Sequence, residues 1–194
     1  MNDNDPMSWS DEDFDAVVEA ARAGDDRAVG YIYDQIQPAL LRYLRWQQPS
    51  VAEDLASETW LAVAEGLPRF EGDEAAFKGW IFTIARRRLA DHRRRMGRRN
   101  TRTLPAEALP QVLADDDPAD LVTTRMAAQD AISALTAALP SEQAEVVMLR
   151  VVGGLPVEEV ARVVGKRPGT VRVLQHRALR RLASQLRDVF PLEV

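Results

Sequence analysis

Apolar residues recur along most of this chain at helical spacing, and no stretch alternates with the period of two that a half-buried strand requires. Phe14, Val17, Val18 and Ala21 follow the i, i+3, i+4, i+7 rule behind a possible Ser10 cap, with Gly24 as the stop. A second helix opens at Asp26 and carries Tyr31, Ile32, Ile36, Leu40, Tyr43 and Leu44, with Pro38 expected to bend it. Ser50 and Glu53 read as a capping box for a third helix that ends at Gly66 before Pro68. Asp73 caps a fourth, whose apolar stripe is Ala76, Phe77, Trp80, Ile81, Ile84 and Leu89.

Between Thr101 and Asp117 this periodicity fades. Pro105, Pro110 and three consecutive aspartates fall there, which marks a flexible linker. Pro118, suited to a first helical turn, restarts order. A helix with Leu121, Val122, Ile132, Leu135 and Leu139 follows, then one from Ser141, a short one over 156–164 and a long one over about 168–188. The fold class is therefore all-α: two small helical domains joined by a flexible linker. The divisions are an acidic N-terminal segment and first helix (1–25), a first helical domain (26–100), the acidic linker (101–117) and a second helical domain (118–194).

Charge changes the picture more than composition does. The 194 residues sum to a formal charge of −5, yet Arg86, Arg87, Arg88, Arg93, Arg94, Arg95, Arg98, Arg99 and Arg102 face a single acid, Asp91. Between 162 and 187 the chain carries Arg162, Lys166, Arg167, Arg172, Arg177, Arg180, Arg181 and Arg187 with no acid in the segment. A polyanion would be repelled by the average charge, so it must meet these helices locally, and nucleic acid fits that requirement. Solvated faces usually mix signs, which these do not. The compensating acids cluster near the start and in the linker.

Other classes are thinned by what the sequence lacks. Zero cysteines exclude a disulfide framework and a Cys-ligated zinc, and suit a reducing interior. The first 15 residues have no signal-peptide pattern, and no apolar run reaches membrane-span length, so we expect a cytoplasmic protein without membrane insertion. Only two histidines occur, both in arginine-rich helices. No metal motif, glycine fingerprint or nucleophile elbow is present. We therefore expect no catalytic residue, no metal site and no cofactor, against the alternative of a recombinase-like enzyme.

The short helix ending at Gly165, followed by Pro168-Gly169-Thr170 and the long basic helix, has the spacing of a DNA-binding helix-turn-helix. Val157, Val160 and Ala161 face inward on the first helix, and Val171, Leu174, Ala178 and Leu182 on the second. Arg167, Thr170, Arg172, Val173, Gln175, His176 and Arg177 are left for phosphates or base edges.

With these residues in view, the chain resembles a bacterial extracytoplasmic-function (ECF) sigma factor of the sigma-70 family over roughly Asp26 to Leu186. Ala52-Glu53-Asp54-Leu55-Ala56-Ser57-Glu58-Thr59-Trp60 is similar to the family's segment two-point-two. The stretch Phe77 to Arg86 together with Asp91-His92-Arg93-Arg94 is similar to segments two-point-three and two-point-four. The stretch Leu139 to Gln143, with Gly169-Thr170-Val171-Arg172 and His176-Arg177-Ala178, is similar to region four.

The resemblance implies that Asp54, Leu55 and Glu58 dock on the clamp helices of the largest subunit of core RNA polymerase, with the flap as a second contact. It implies that the loop 70–76 captures an unstacked minus-ten base, through Phe70, Gly72, Asp73 and Ala76 with Arg87 and Arg94. It implies that Arg167, Thr170, Arg172, Gln175, His176 and Arg177 recognise the minus-thirty-five element of promoter DNA. It also implies an anti-sigma partner, and a linker threading the polymerase's RNA channel; a solubilising tether is the alternative reading of that acidic linker. Arg87 stands where the family often has asparagine, and Leu174-Gln175 departs from the family's common Arg-Leu pair. A stand-alone helix-turn-helix regulator is the alternative; it would leave the Asp54 to Glu58 face and the first arginine helix without a role.

Overall fold

The computed structural model describes residues 14–100 and 136–189. The Ser10 cap, the linker and most of the helix expected over Leu121–Leu139 fall outside them; of its end, residues 136–137 are helical and the buried Leu139 lies in the bend that follows. All regular structure among the described residues is helical: α1 (Phe14–Arg22), α2 (Asp26–Gln47), α3 (Ala52–Gly66), α4 (Glu74–Asn100), α5 (Ser141–Val147), α6 (Val157–Val164) and α7 (Pro168–Val189). Short 3-10 turns, Pro49–Val51 and Leu67–Arg69, flank α3, and a π turn over Met148–Val152 extends α5.

Local signals account for most boundaries. Gly24 closes α1 with φ +89°, and Asp25 caps α2 by accepting from the Arg27 amide at 2.8 Å. That amide bond holds the Asp25 carboxyl below the usual carboxylate range. α2 runs through Pro38 without a break. Asp73 caps α4 as expected, its Oδ1 accepting from the Ala76 amide at 2.8 Å. The Ser50–Glu53 capping box does not form. Pro49 starts a 3-10 turn, α3 begins at Ala52 with no side-chain cap, and Glu53 instead accepts from Arg45 at 3.0 and 2.7 Å.

The first module packs α1 to α4 around Leu40, Tyr43, Leu44, Leu55, Phe77, Ile81, Phe82 and Leu89, all 2% exposed or less. Phe77 is its hub, with ring centroids 5.4 Å from Phe14, 4.9 Å from Phe70 and 5.7 Å from Trp80. The second module packs α5 to α7 around Val146, Leu149, Leu155, Val160 and Val171. These are not two sealed cores. One apolar cluster runs from Val17 in α1 to Val171 in α7, and Trp46 of α2 packs against a smaller cluster of Leu139, Ala144, Val147 and Ala178.

Candidate nucleic-acid interface

Three surfaces carry the residues that the sequence singles out. On α3, Asp54 is exposed and Glu58 half-exposed, one turn further along, so the two carboxylates share a face. Glu58 lies 3.8 Å from Arg95 of α4. Leu55 is different. At 1% exposure it belongs to the core and supports the acidic face from beneath, where no partner can reach it. Next to this face Trp60 donates to Gln37 at 2.7 Å and packs on Tyr33, centroid to centroid 5.1 Å. Leu61 stands 67% exposed.

The loop before α4 departs further from expectation. Phe70 is 8% exposed, stacked on Trp80 at 5.2 Å, so its ring has no open face for a base. Glu71, Gly72 and Asp73 are exposed and Ala76 half-buried. Gly72 has φ +146°, and a Cβ there would come within 2.9 Å of the Ala76 Cβ and 3.1 Å of the Phe70 ring. Only glycine keeps this backbone tight on its aromatic floor.

The arginine helix is partly occupied. Arg86 is bound by Glu145, Nε donating at 2.8 Å and Nη2 at 3.3 Å, and these bonds raise its pKa. Arg93 donates to the Gln47 side chain at 2.8 Å. Arg94 pairs with Asp91 on its own helix. Arg87 is exposed and has no side-chain partner among the described residues.

In the second module Gly165 takes φ +68° and closes α6, and the Lys166 amide bonds back to the Ala161 carbonyl at 2.9 Å. This is the C-terminal glycine geometry that turns the chain into a second helix. Arg167 is exposed in the turn just before α7, and Thr170, Arg172, Val173, His176 and Arg177 are exposed on it, with Val171 and Ala178 buried and Leu174 and Leu182 half-buried behind them, as the pattern predicts. Gln175 is not freely presented. It is half-buried and accepts from Arg150 Nε at 3.3 Å, while Arg150 also donates to the Leu155 carbonyl.

Sequence reasoning missed Arg150, Glu158 and Glu142. Glu158 pairs with Arg172 and Glu142 with Lys166, each at 2.8 Å, and separations of 14 and 24 residues leave no periodic trace. Among the described residues no group of acids and histidines could hold a metal ion, and no helix is long and apolar enough to cross a membrane.

Known proteins share this architecture. The family described as Sigma-70 region 2 matches residues 32–99, and Sigma-70, region 4 matches residues 129–182. "ECF RNA polymerase sigma factor SigD" of Mycobacterium tuberculosis H37Rv is 37% identical over 186 residues, 93% of this chain and 87% of the relative. "ECF RNA polymerase sigma factor BldN" of Streptomyces coelicolor is 36% identical over 174 residues, 89% of this chain and 65% of the relative. Among solved structures, the sigma factor RpoE in complex with the anti-sigma factor NepR from Bartonella quintana superposes with a TM-score of 0.60 at 23% identity, over 86% of this chain and 98% of that one. CnrH in complex with the cytosolic domain of CnrY gives 0.61 at 20% identity, over 89% and 96%. Both structural likenesses bear on the fold.

Proposed function

The chain belongs to the ECF sigma factors of the sigma-70 family, initiation factors that direct RNA polymerase to promoters, and from this premise we propose how its own residues divide the work. The exposed Asp54 and Glu58 on α3 grip the clamp helices of core polymerase. The second module adds the flap contact. Neither module carries out bond chemistry, so the chain is not an enzyme, and it works in the cytoplasm, where polymerase and promoter are.

The observation that carries the division of labour is the pair of opposed surfaces: an acidic helix face free of basic partners at Asp54, and arginine-bearing helices on both modules. At the minus-ten element, capture of an unstacked base falls to the exposed backbone at Glu71, Gly72 and Asp73, with Phe70 and Trp80 as the floor that fixes it. Stacking a base contributes about 1 to 3 kcal/mol, comparable with the few kcal/mol that extrusion costs. Backbone capture with Phe70 enclosed forgoes part of that gain, and the arginine run on α4 supplies the remainder by holding the nontemplate strand through its phosphates.

At the minus-thirty-five element Arg167, Thr170, Arg172, His176 and Arg177 face the major groove, and Val173 offers an apolar contact to a thymine methyl. Each good bidentate arginine contact discriminates by about 1 to 3 kcal/mol. Gln175 acts from behind, positioned by Arg150. The chain is further proposed to bind an anti-sigma protein, by analogy with the complexes of RpoE with NepR and CnrH with CnrY.

Run-off transcription tests the proposal directly. Core polymerase with this protein on a genomic fragment library should start at a discrete set of sites that core polymerase alone ignores; no added starts would reject it. With about five phosphates neutralised, the logarithm of affinity of the holoenzyme for promoter DNA should fall against log salt with a slope of about −4 to −5. A flat salt titration would remove the arginine helices from the account. A stand-alone regulator would instead footprint promoters tightly without polymerase.

A further inference from the structure

We propose that Glu158 is a specificity-determining positioning residue: it buttresses Arg172 and so presents one fork of that guanidinium to a guanine in the minus-thirty-five element. The inference deepens the proposed function and rests on its placement of Arg172 in the major groove. Glu158 lies in the first turn of α6 and Arg172 early in α7, 14 residues apart in sequence and brought together by the turn at Gly165. The Glu158 Oε1 accepts from Arg172 Nη2 at 2.8 Å. Both side chains stay open to solvent, 56% and 61% exposed, so the pair stands where a duplex can reach it.

The donors of the guanidinium decide what such a pair can read. Arginine carries five N–H groups and no acceptor, and one carboxylate oxygen on Nη2 consumes one of them. Four remain, and two of these still form an intact fork. Guanine alone offers two acceptors side by side in the major groove, O6 and N7; adenine sets a donor beside its N7, thymine a methyl beside its O4, and cytosine a donor. A fork aimed by Glu158 therefore selects guanine. An arginine left unheld samples many rotamers and turns as readily to phosphates, which carry no sequence information.

The neighbouring charges set Arg172 apart. Arg167 and Arg177 are exposed with no acid partner among the described residues, which leaves them free to track the backbone. The second acid of the same helical turn, Glu159, is buried and pairs with Arg162. Glu158 has Arg172 as its sole side-chain partner among the described residues. A carboxylate beside the groove also repels phosphates and keeps one cation from neutralising them. The acid thus lowers affinity for DNA of any sequence and raises discrimination, and its removal moves the two in opposite directions.

Glu158→Gln in the full chain, assembled with core polymerase into holoenzyme, tests this. Parent and variant holoenzymes are bound to a promoter library randomised across the minus-thirty-five element, and the retained templates are sequenced. R172K, which keeps the charge and loses the fork, identifies the base pair that Arg172 reads as the position where guanine ceases to be preferred. E158Q should relax the guanine preference at that position by about fivefold, the most that an exposed ion pair supplies, and leave the others alone. Affinity for the library as a whole should rise by about twofold to fivefold at low salt. The slope of log affinity on log salt should steepen by up to about one unit, as Arg172 becomes free to neutralise a phosphate. E158Q added to R172K should leave the base preference where R172K put it. A Glu158 that only supports its helix would give affinity falling evenly across all sequences. That result, an R172K profile with no relaxed guanine, an unchanged preference in E158Q, or an equal shift in the R172K background would each overturn the buttress. A parent holoenzyme that selects no minus-thirty-five sequence rejects the proposed function and the buttress with it, whereas a selective parent with an unresponsive E158Q rejects the buttress alone.

Discussion

Replacing Asp54 and Glu58 together by lysine should abolish capture of core RNA polymerase while leaving the fold intact. The two carboxylates lie one helical turn apart on the outer face of α3, with Asp54 free of any side-chain partner among the described residues. Truncating one charge of a hydrogen-bonded interfacial pair costs about 2 to 5 kcal/mol, and reversal adds repulsion. Two reversals should therefore weaken binding by at least about a thousandfold. Intramolecular losses are small, because the Glu58–Arg95 contact is 3.8 Å long, with side chains 41% and 53% exposed, and such surface pairs contribute about 0 to 1 kcal/mol. Pull-down of core enzyme together with a thermal melt checks both halves. Binding retained by the doubly reversed protein would remove α3 from the polymerase interface.

Phe77→Ala should be the most damaging single truncation in the first module. Its ring is fully buried and touches Phe14, Phe70 and Trp80, so removal leaves a cavity that three large rings cannot fill without moving. Truncations of this kind cost about 3 to 5 kcal/mol, a large share of the roughly 5 to 15 kcal/mol by which domains are stable. Urea unfolding measures the loss. Because Phe70 rests on Phe77, the loop bearing Gly72 should also lose its fixed geometry, and promoter opening should weaken beyond what the fraction of folded protein explains. A midpoint shift of under about 1 kcal/mol would show that the aromatic cluster is not the module's hub.

What the sequence reveals divides along a physical line. The helix-turn-helix was legible because every signal is local: the 3.6-residue apolar period on α6 and α7, and a glycine where the chain must turn with positive φ. The Asp73 cap is equally local. Ser50 misled because it looks like Asp73 in a string of letters, while Pro49 draws it into a 3-10 turn before the helix begins. Leu55 and Phe70 sit within motifs that carry function, yet their side chains point into the core; a motif places a segment, and packing decides which of its members face outward. Gln175 turns inward because Arg150, 25 residues earlier, holds its amide oxygen. Glu145 had no readable signal at all. Its partners come from a different module, and no periodicity reports a pairing across the linker.

The continuous apolar cluster has a consequence for synthesis. As the chain leaves the ribosome, Tyr43 and Phe82 emerge well before Glu145 and Gly153, which lie against them in the finished protein. At about 5 to 20 residues per second, the 71 residues that separate Phe82 from Gly153 in the sequence leave that patch uncovered for several seconds. The newborn first half therefore carries an apolar patch open to solvent, which the second half erases when it arrives.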